Sequence, residues 1–257
     1  MKNALLIDLG GTNVRHAFFI NNALSKISKE KISDKEFIPF ITKLLNGAES
    51  KIEYLVIAAA GPNNQGFINL TNRNLLINSS ELEAALNLKK CLLLNDWEAV
   101  AFSLSEMEKK SFLSIKSNVP SNKNTLLIGP GTGLGVTLII DDQIIPTEFG
   151  NVLSATKSMM ESFGIEKSEK FLSLENILSG PGIEMLYEEK FGKKLSSEKI
   201  ITLALERNED ALFIVNNFLK ILITIIDDLV LSFTCKRVIL GGAILNSLKS
   251  ILTSKKI

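Results

Sequence analysis

Apolar residues fill Ala4–Leu9 apart from Asp8, and the run stops at Gly10-Gly11. A second run, Val14–Ile20, stops at Asn21-Asn22. Short apolar runs bounded by turn residues predict buried strands. Leu24–Ser28 is a candidate third strand, so the chain opens on an antiparallel meander. Asp34–Leu45 switches to helical spacing through Phe37, Ile38, Ile41, Leu44 and Leu45, with Asp34 as its cap. Tyr54–Ala60 predicts a strand stopped by Gly61-Pro62, and a hairpin fits near Gly66–Leu70. Ser79-Ser80 opens a short helix through Leu82, Ala85 and Leu86. Cys91–Leu94 predicts another strand, and Asp96–Met107 a helix. The strand–glycine turn–strand pattern then repeats as Thr125–Ile128 and Leu134–Ile140, with a turn at Asp141-Asp142-Gln143. From Ala155 to Phe233 the spacing is helical, broken at Ser179-Gly180-Pro181-Gly182. Its last helix repeats apolar residues at Leu212, Val215, Leu219, Leu222, Ile226 and Leu229. Val238–Leu240 predicts a final strand, followed by Gly241-Gly242 and a terminal helix.

Composition narrows this picture. The chain has 257 residues, 46% hydrophobic and 22% charged, enough for a sizeable core in one large domain or two modest ones. The polar stretch Ser111–Asn124 is the expected seam, giving a smaller α/β N-terminal domain over 1–110 and a larger α/β C-terminal domain over 111–257. A net charge of +1 with no basic cluster argues against nucleic acid as a partner. Leu212–Phe233 carries Asn216, Asn217, Lys220, Asp227 and Asp228, too many polar groups for a membrane span. No signal-peptide core opens the chain, and Cys91 and Cys235 read as buried free thiols, so the expected location is cytoplasmic. His16 is the single histidine and is expected to be structural. A histidine base or a Ser-His-Asp triad elsewhere is thereby excluded.

The two glycine turns carry the chemistry. Neither has the lysine of a Walker A loop, and neither opens a helix as a dinucleotide fingerprint does. Both are hairpins. Glycine lets backbone N–H groups approach anionic oxygens, and Thr12 and Thr132 add hydroxyl donors. Asp8, at the end of the first strand, is placed to hold Mg²⁺. Two such hairpins facing one another would grip a polyphosphate, whereas either alone is equally a tight turn that needs glycine. Asn95-Asp96 ends a buried strand, where ligands of α/β folds bind; Asp96 is also a good local helix cap.

Asp8-Leu9-Gly10-Gly11-Thr12-Asn13-Val14-Arg15 resembles the first phosphate loop of the sugar kinase/actin/heat-shock ATPase superfamily. Gly129-Pro130-Gly131-Thr132-Gly133-Leu134-Gly135 resembles its second phosphate loop, and Leu240-Gly241-Gly242-Ala243 its adenosine loop. With Leu94-Asn95-Asp96 and Leu178-Ser179-Gly180-Pro181-Gly182, the set is similar to the bacterial glucokinases, in the right order over nearly the whole chain. The resemblance implies two RNase H-like (actin-like ATPase) domains with a cleft between them, binding ATP and Mg²⁺ and phosphorylating D-glucose at its 6-hydroxyl. It implies Asp96 as general base and Asp8 as metal ligand. Gly10, Gly11, Thr12, Asn13, Gly131, Thr132, Gly133, Gly241 and Gly242 would hold the nucleotide. Asn72, Asn95, Asp96, Glu148, Asn151 and Glu175 would hold the sugar.

Two departures bear on this expectation. The family motif Glu-x-x-His reads Glu148-Phe149-Gly150-Asn151 here, and Asn151 donates and accepts hydrogen bonds but does not titrate. Another hexose as substrate therefore stays open. After Gly242, fifteen residues remain, whereas the resembling kinases continue with a strand and a helix that returns to the N-terminal domain. If the chain is complete as given, that segment is missing and the adenine pocket and hinge are looser, so a non-catalytic sugar- or nucleotide-binding descendant also stays open. A homodimer is left open.

Overall fold

A computed structural model describes residues 2–10, 13–70, 74–115, 123–153, 156–166 and 169–254. The chain divides into two compact units, Met1–Leu104 and Ser105–Ile257.

The first unit runs β1 (Ala4–Leu9), β2 (Val14–Ile20), β3 (Ala23–Leu24), β4 (Ser28–Glu30), a 3₁₀ turn (Asp34–Glu36), α1 (Phe37–Asn46) and β5 (Tyr54–Ala59). It continues with β6 (Asn63–Asn64), β7 (Phe67–Asn69), β8 (Leu76–Asn78), α2 (Ser79–Ala85), β9 (Lys90–Asn95) and α3 (Asp96–Ser103). The main sheet has the order β3-β2-β1-β5-β9, with β1–β2 antiparallel and β1–β5–β9 parallel. β6, β7 and β8 form a separate three-stranded sheet where a hairpin was expected. Leu5, Ile7, Leu9, Leu55 and Ile57 face Phe37 and Ile41 of α1 in the core.

The expected third strand, Leu24–Ser28, is instead two short pieces, β3 and β4, both paired with β2. Ser25 lies between them; its Oγ accepts from Phe18 N at 2.9 Å and its N–H donates to Phe18 O at 2.8 Å. The cap of the first helical segment is Ser33, not Asp34, in a reciprocal box with Glu36. α3 stops at Ser103, short of the expected Met107: Leu104 N bonds back to Ala101 O at 3.2 Å, tightening the last turn. His16 is buried, with Nε2 3.1 Å from Glu30 Oε1 and its ring edge-on to Phe40, which is the structural role expected of it.

The second unit runs β10 (Thr125–Pro130), β11 (Leu134–Ile140), β12 (Gln143–Thr147), α4 (Thr156–Ser162), α5 (Gly180–Phe191), α6 (Ser197–Leu205), α7 (Glu209–Ser232), β13 (Arg237–Leu240), α8 (Ala243–Ser247) and α9 (Lys249–Ser254). Its sheet order is β12-β11-β10-β13, with β10–β11 and β11–β12 antiparallel and β10–β13 parallel. This repeats the β3-β2-β1-β5 arrangement of the first unit.

The repeat extends to the turns. Asn21-Asn22 and Asp141-Asp142 are two-residue loops with both φ positive, at 52° and 61° and at 49° and 66°. That geometry matches the twist of the flanking strands, and Asn and Asp tolerate it. No strand was predicted after the Asp141-Asp142-Gln143 turn, yet Gln143–Thr147 forms β12, with Pro146 inside it. β12 is the sheet's edge, where a missing N–H costs no ladder bond. Leu126, Ile128, Val136 and Leu138 pack in one core with Ile214, Val215, Phe218, Leu222 and Ile225 of α7. Asn208 caps α7 by accepting from Ala211 N at 3.0 Å. Among the described residues no helix is long and apolar enough to cross a membrane.

Candidate active site

In the first unit, the candidate residues gather at the C-terminal ends of the parallel strands. Asp8 of β1 stands in register with Ala58 of β5, and Ala58 with Leu94 of β9, so Asp8 and the Asn95-Asp96 pair share one sheet edge. The β1–β2 turn is closed by Gly10 N donating to Asn13 O at 3.0 Å. Gly11, Thr12 and Asn72 lie outside the described residues.

The helix cap falls on Asn95, not on Asp96. Asn95 Oδ1 accepts from Trp97 N at 2.9 Å and Glu98 N at 3.4 Å, while Glu98 Oε2 accepts from Asn95 N at 3.1 Å. Asn95 Nδ2 also donates to Gly61 O at 3.2 Å. Its buried amide is thus engaged in holding the strand–helix joint, and Asp96 becomes the first helical residue. Burial pushes the Asp96 carboxyl up from its ordinary range, and the nearby Asp8 charge pushes the same way. A hydrogen bond from Trp97 N at 2.9 Å opposes the shift. Burial also raises the Glu98 carboxyl.

Arg15 is the last residue of the first glycine-turn motif. Its Nη1 lies 2.7 Å from Asp8 Oδ2, and the two residues are register partners across the hairpin. Both side chains are about half exposed, at 54% and 47%, so the pair adds little stability. Its effect is to hold the Asp8 carboxylate at the turn. The signal was present in the sequence: in a tight hairpin, residues equidistant from the turn face each other.

In the second unit, the candidate residues surround the β10–β11 tip. Gly131 N donates to Gly133 O at 2.8 Å, closing the turn, and Thr132 is exposed at its apex. A Cβ on Gly131 would meet no atom within 4 Å. Gly180, at the start of α5, donates its N–H to Gly131 O at 2.8 Å. Glu148 precedes and Asn151 ends a 3₁₀ turn (Phe149–Asn151), and Asn151 Nδ2 donates to Glu148 Oε2 at 3.1 Å. A second 3₁₀ turn (Leu174–Asn176) joins the first through Leu174 N donating to Val152 O at 3.1 Å, which brings Glu175 alongside. Gly241 donates to Ile128 O at 3.0 Å, fixing the loop after β13 to β10.

Gly242 has φ +91°, and a Cβ there would sit 2.6 Å from Pro130 O. Gly242→Ala is therefore expected to cost about 1–3 kcal/mol of stability through backbone strain. Denaturant titration of the variant checks this; an unchanged midpoint would show that the loop relaxes freely.

A glycine hairpin on a β3-β2-β1-β5 sheet, built twice, defines the actin-like ATPase class of α/β fold. The Glucokinase family profile matches residues 5–256, and the chain belongs to that family. A glucokinase of Pseudomonas paraeruginosa is 27% identical over 208 residues, covering 72% of this chain. The chain spans only 58% of that relative's length. The crystal structure of a glucokinase from an Antarctic psychrotroph matches with TM-score 0.76 and 24% identity, over 100% of this chain and 87% of that one. A ROK family glucokinase from Streptomyces griseus, in complex with glucose and AMPPNP, matches with TM-score 0.64 and 16% identity, over 96% and 88%.

Proposed function

We propose that this chain is an ATP-dependent kinase that transfers a phosphoryl group to the 6-hydroxyl of D-glucose, in a reducing, cytoplasmic compartment. The observation that carries the reading is the pairing of Asp96 and Asp8 on one sheet edge, with Asp96 held above the usual carboxylate range. A base with a raised affinity for protons, at the N-terminus of a helix and beside a strand end, suits abstraction from a sugar hydroxyl.

The residues fit Mg²⁺-ATP. The space over Gly131 is open to an anion's approach, and Asp8 offers a half-exposed carboxylate. Among the described residues no group of three acidic, histidine or cysteine side chains forms a ready metal cage. That suits Mg²⁺, which takes one or two carboxylates and completes its shell with water and phosphate oxygens. When bound, ATP supplies the phosphoryl group and Mg²⁺ screens its charge. The chain's own residues do the rest. Asp96 accepts the hydroxyl proton as the new O–P bond forms and ADP departs. Glu148, Asn151 and Glu175 accept from and donate to the sugar's hydroxyls, and Asn95 keeps Asp96 at its helical position. The Gly10 and Gly131 turns present backbone N–H groups to phosphate oxygens.

The test is formation of glucose 6-phosphate from ATP, Mg²⁺ and glucose, followed by other hexoses in competition. Product from glucose supports the reading. Product from another hexose alone moves the assignment to that sugar, which the Asn151–Glu148 pair would then explain. A folded protein that binds but phosphorylates no hexose leaves a binding descendant.

A further inference from the structure

We infer that Gly133, a glycine of the second phosphate hairpin, is a positioning residue for the sugar-binding carboxylate of Glu175. The inference rests on the kinase reading. A Cβ on Gly133 would lie 2.6 Å from Glu175 Oε2 and 3.6 Å from its Cδ. Real Cβ atoms do not approach that closely, so the absence of a side chain is what lets the carboxylate rest against the hairpin. The face of Gly133 that a side chain would occupy is turned to Glu175, whereas the corresponding face of Gly131 is open.

The hairpin and the Glu175 segment are tied at two points. Gly180 N–H holds Gly131 O at 2.8 Å, five residues after Glu175, and Glu175 itself lies on Gly133. The turn that carries Glu175 is fixed by Ser173 and Asn176 in a reciprocal cap, with Asn176 Oδ1 accepting from Ser173 N at 3.0 Å. Its backbone has little freedom to follow a displaced side chain. Adding a methyl group at Gly133 therefore moves the Glu175 carboxylate and leaves the segment in place. Gly133 is outside the left-handed φ range, so alanine is compatible with its backbone. The one close neighbour is the far end of a flexible side chain, so the variant should fold.

The two glycines flanking Thr132 thus differ: Gly131 faces open space, and Gly133, besides its place in the phosphate hairpin, faces the sugar carboxylate. The experiment compares the parent with Gly133→Ala, Gly131→Ala, Glu175→Ala and Gly133→Ala/Glu175→Ala. Glucose and AMPPNP binding are measured by calorimetry, and a crystal structure of Gly133→Ala is determined. Gly133→Ala is expected to raise the glucose dissociation constant about tenfold, the loss of one charge-assisted hydrogen bond, with AMPPNP affinity falling by a smaller factor. In the kinetics, KM for glucose rises by a larger factor than KM for ATP. Gly131→Ala should show the reverse. On the Glu175→Ala background the Gly133 change should add nothing.

The inference is overturned if Glu175 keeps its place in the Gly133→Ala crystal, if nucleotide affinity falls more than glucose affinity, or if the two substitutions add in full. A parent protein that binds no glucose would overturn the kinase reading instead, and the Glu175 position in the variant crystal would still decide the inference.

Discussion

On the proposed kinase reading, Asp96→Asn is expected to lower glucose phosphorylation by about 10²–10⁴-fold, the usual contribution of a positioned general base. The amide keeps an oxygen for Trp97 N–H, so the first turn of α3 survives and glucose binding changes little. The acidic limb of the parent's pH profile falls above the ordinary aspartate range, because burial holds the Asp96 carboxyl up. The variant loses that limb.

The stability effect has the opposite sign to the activity effect. The Asp96 pKa is raised in the folded protein, so folding favours its protonated form. That favourable contribution is complete below the ordinary aspartate value of 3.8 and is lost as pH rises through the raised value. Above it, the ionised carboxylate opposes folding. Asp96→Asn should therefore melt above the parent near neutral pH, and the difference should vanish in acid. Melting curves at pH 7.5 and pH 3 check the sign. A variant within tenfold of parental activity removes Asp96 as the base.

Phe218→Ala destabilises the protein by about 3–5 kcal/mol, through lost transfer energy and the cavity left behind. Phe218 has 0% exposure and packs in the core of the second unit with Leu126, Ile128 and Val136. It also shares the α7 face that carries Ile214, Val215, Leu222 and Ile225. The expected fall in melting temperature is about 10 °C. Denaturant unfolding with the slope held separates a stability change from an altered denatured state. A fall below about 1 kcal/mol would mean that the core collapses around the gap.

Local signals carried much of the fold. β1, β2 and β11 have the bounds that their apolar runs predicted. The Asn21-Asn22 and Asp141-Asp142 turns were legible because their chemistry is local to two residues. α7 was legible because its apolar period persists over 24 residues. β12 escaped because Pro146 is a strand breaker everywhere except at an edge, and whether a strand is an edge is decided by the sheet around it. The split of β3 from β4 escaped because it depends on which Phe18 group Ser25 meets.

The site divides the same way. Sequence by itself determined the residue types and their order: two glycine hairpins, Asp8 before the first, Asn95-Asp96 after a strand, and the loop at Gly241-Gly242. These lie in short contiguous stretches, where turn conformation and donor chemistry follow from neighbours in the chain. Tertiary structure alone decided that Glu175 rests on Gly133 across more than 40 positions of sequence, whereas the Asn95 cap and the Arg15–Asp8 pair are local to one helix start and one hairpin. That outcome depends on the clearance between the hairpin and the Glu175 segment, a quantity that exists only once distant parts of the chain are packed together.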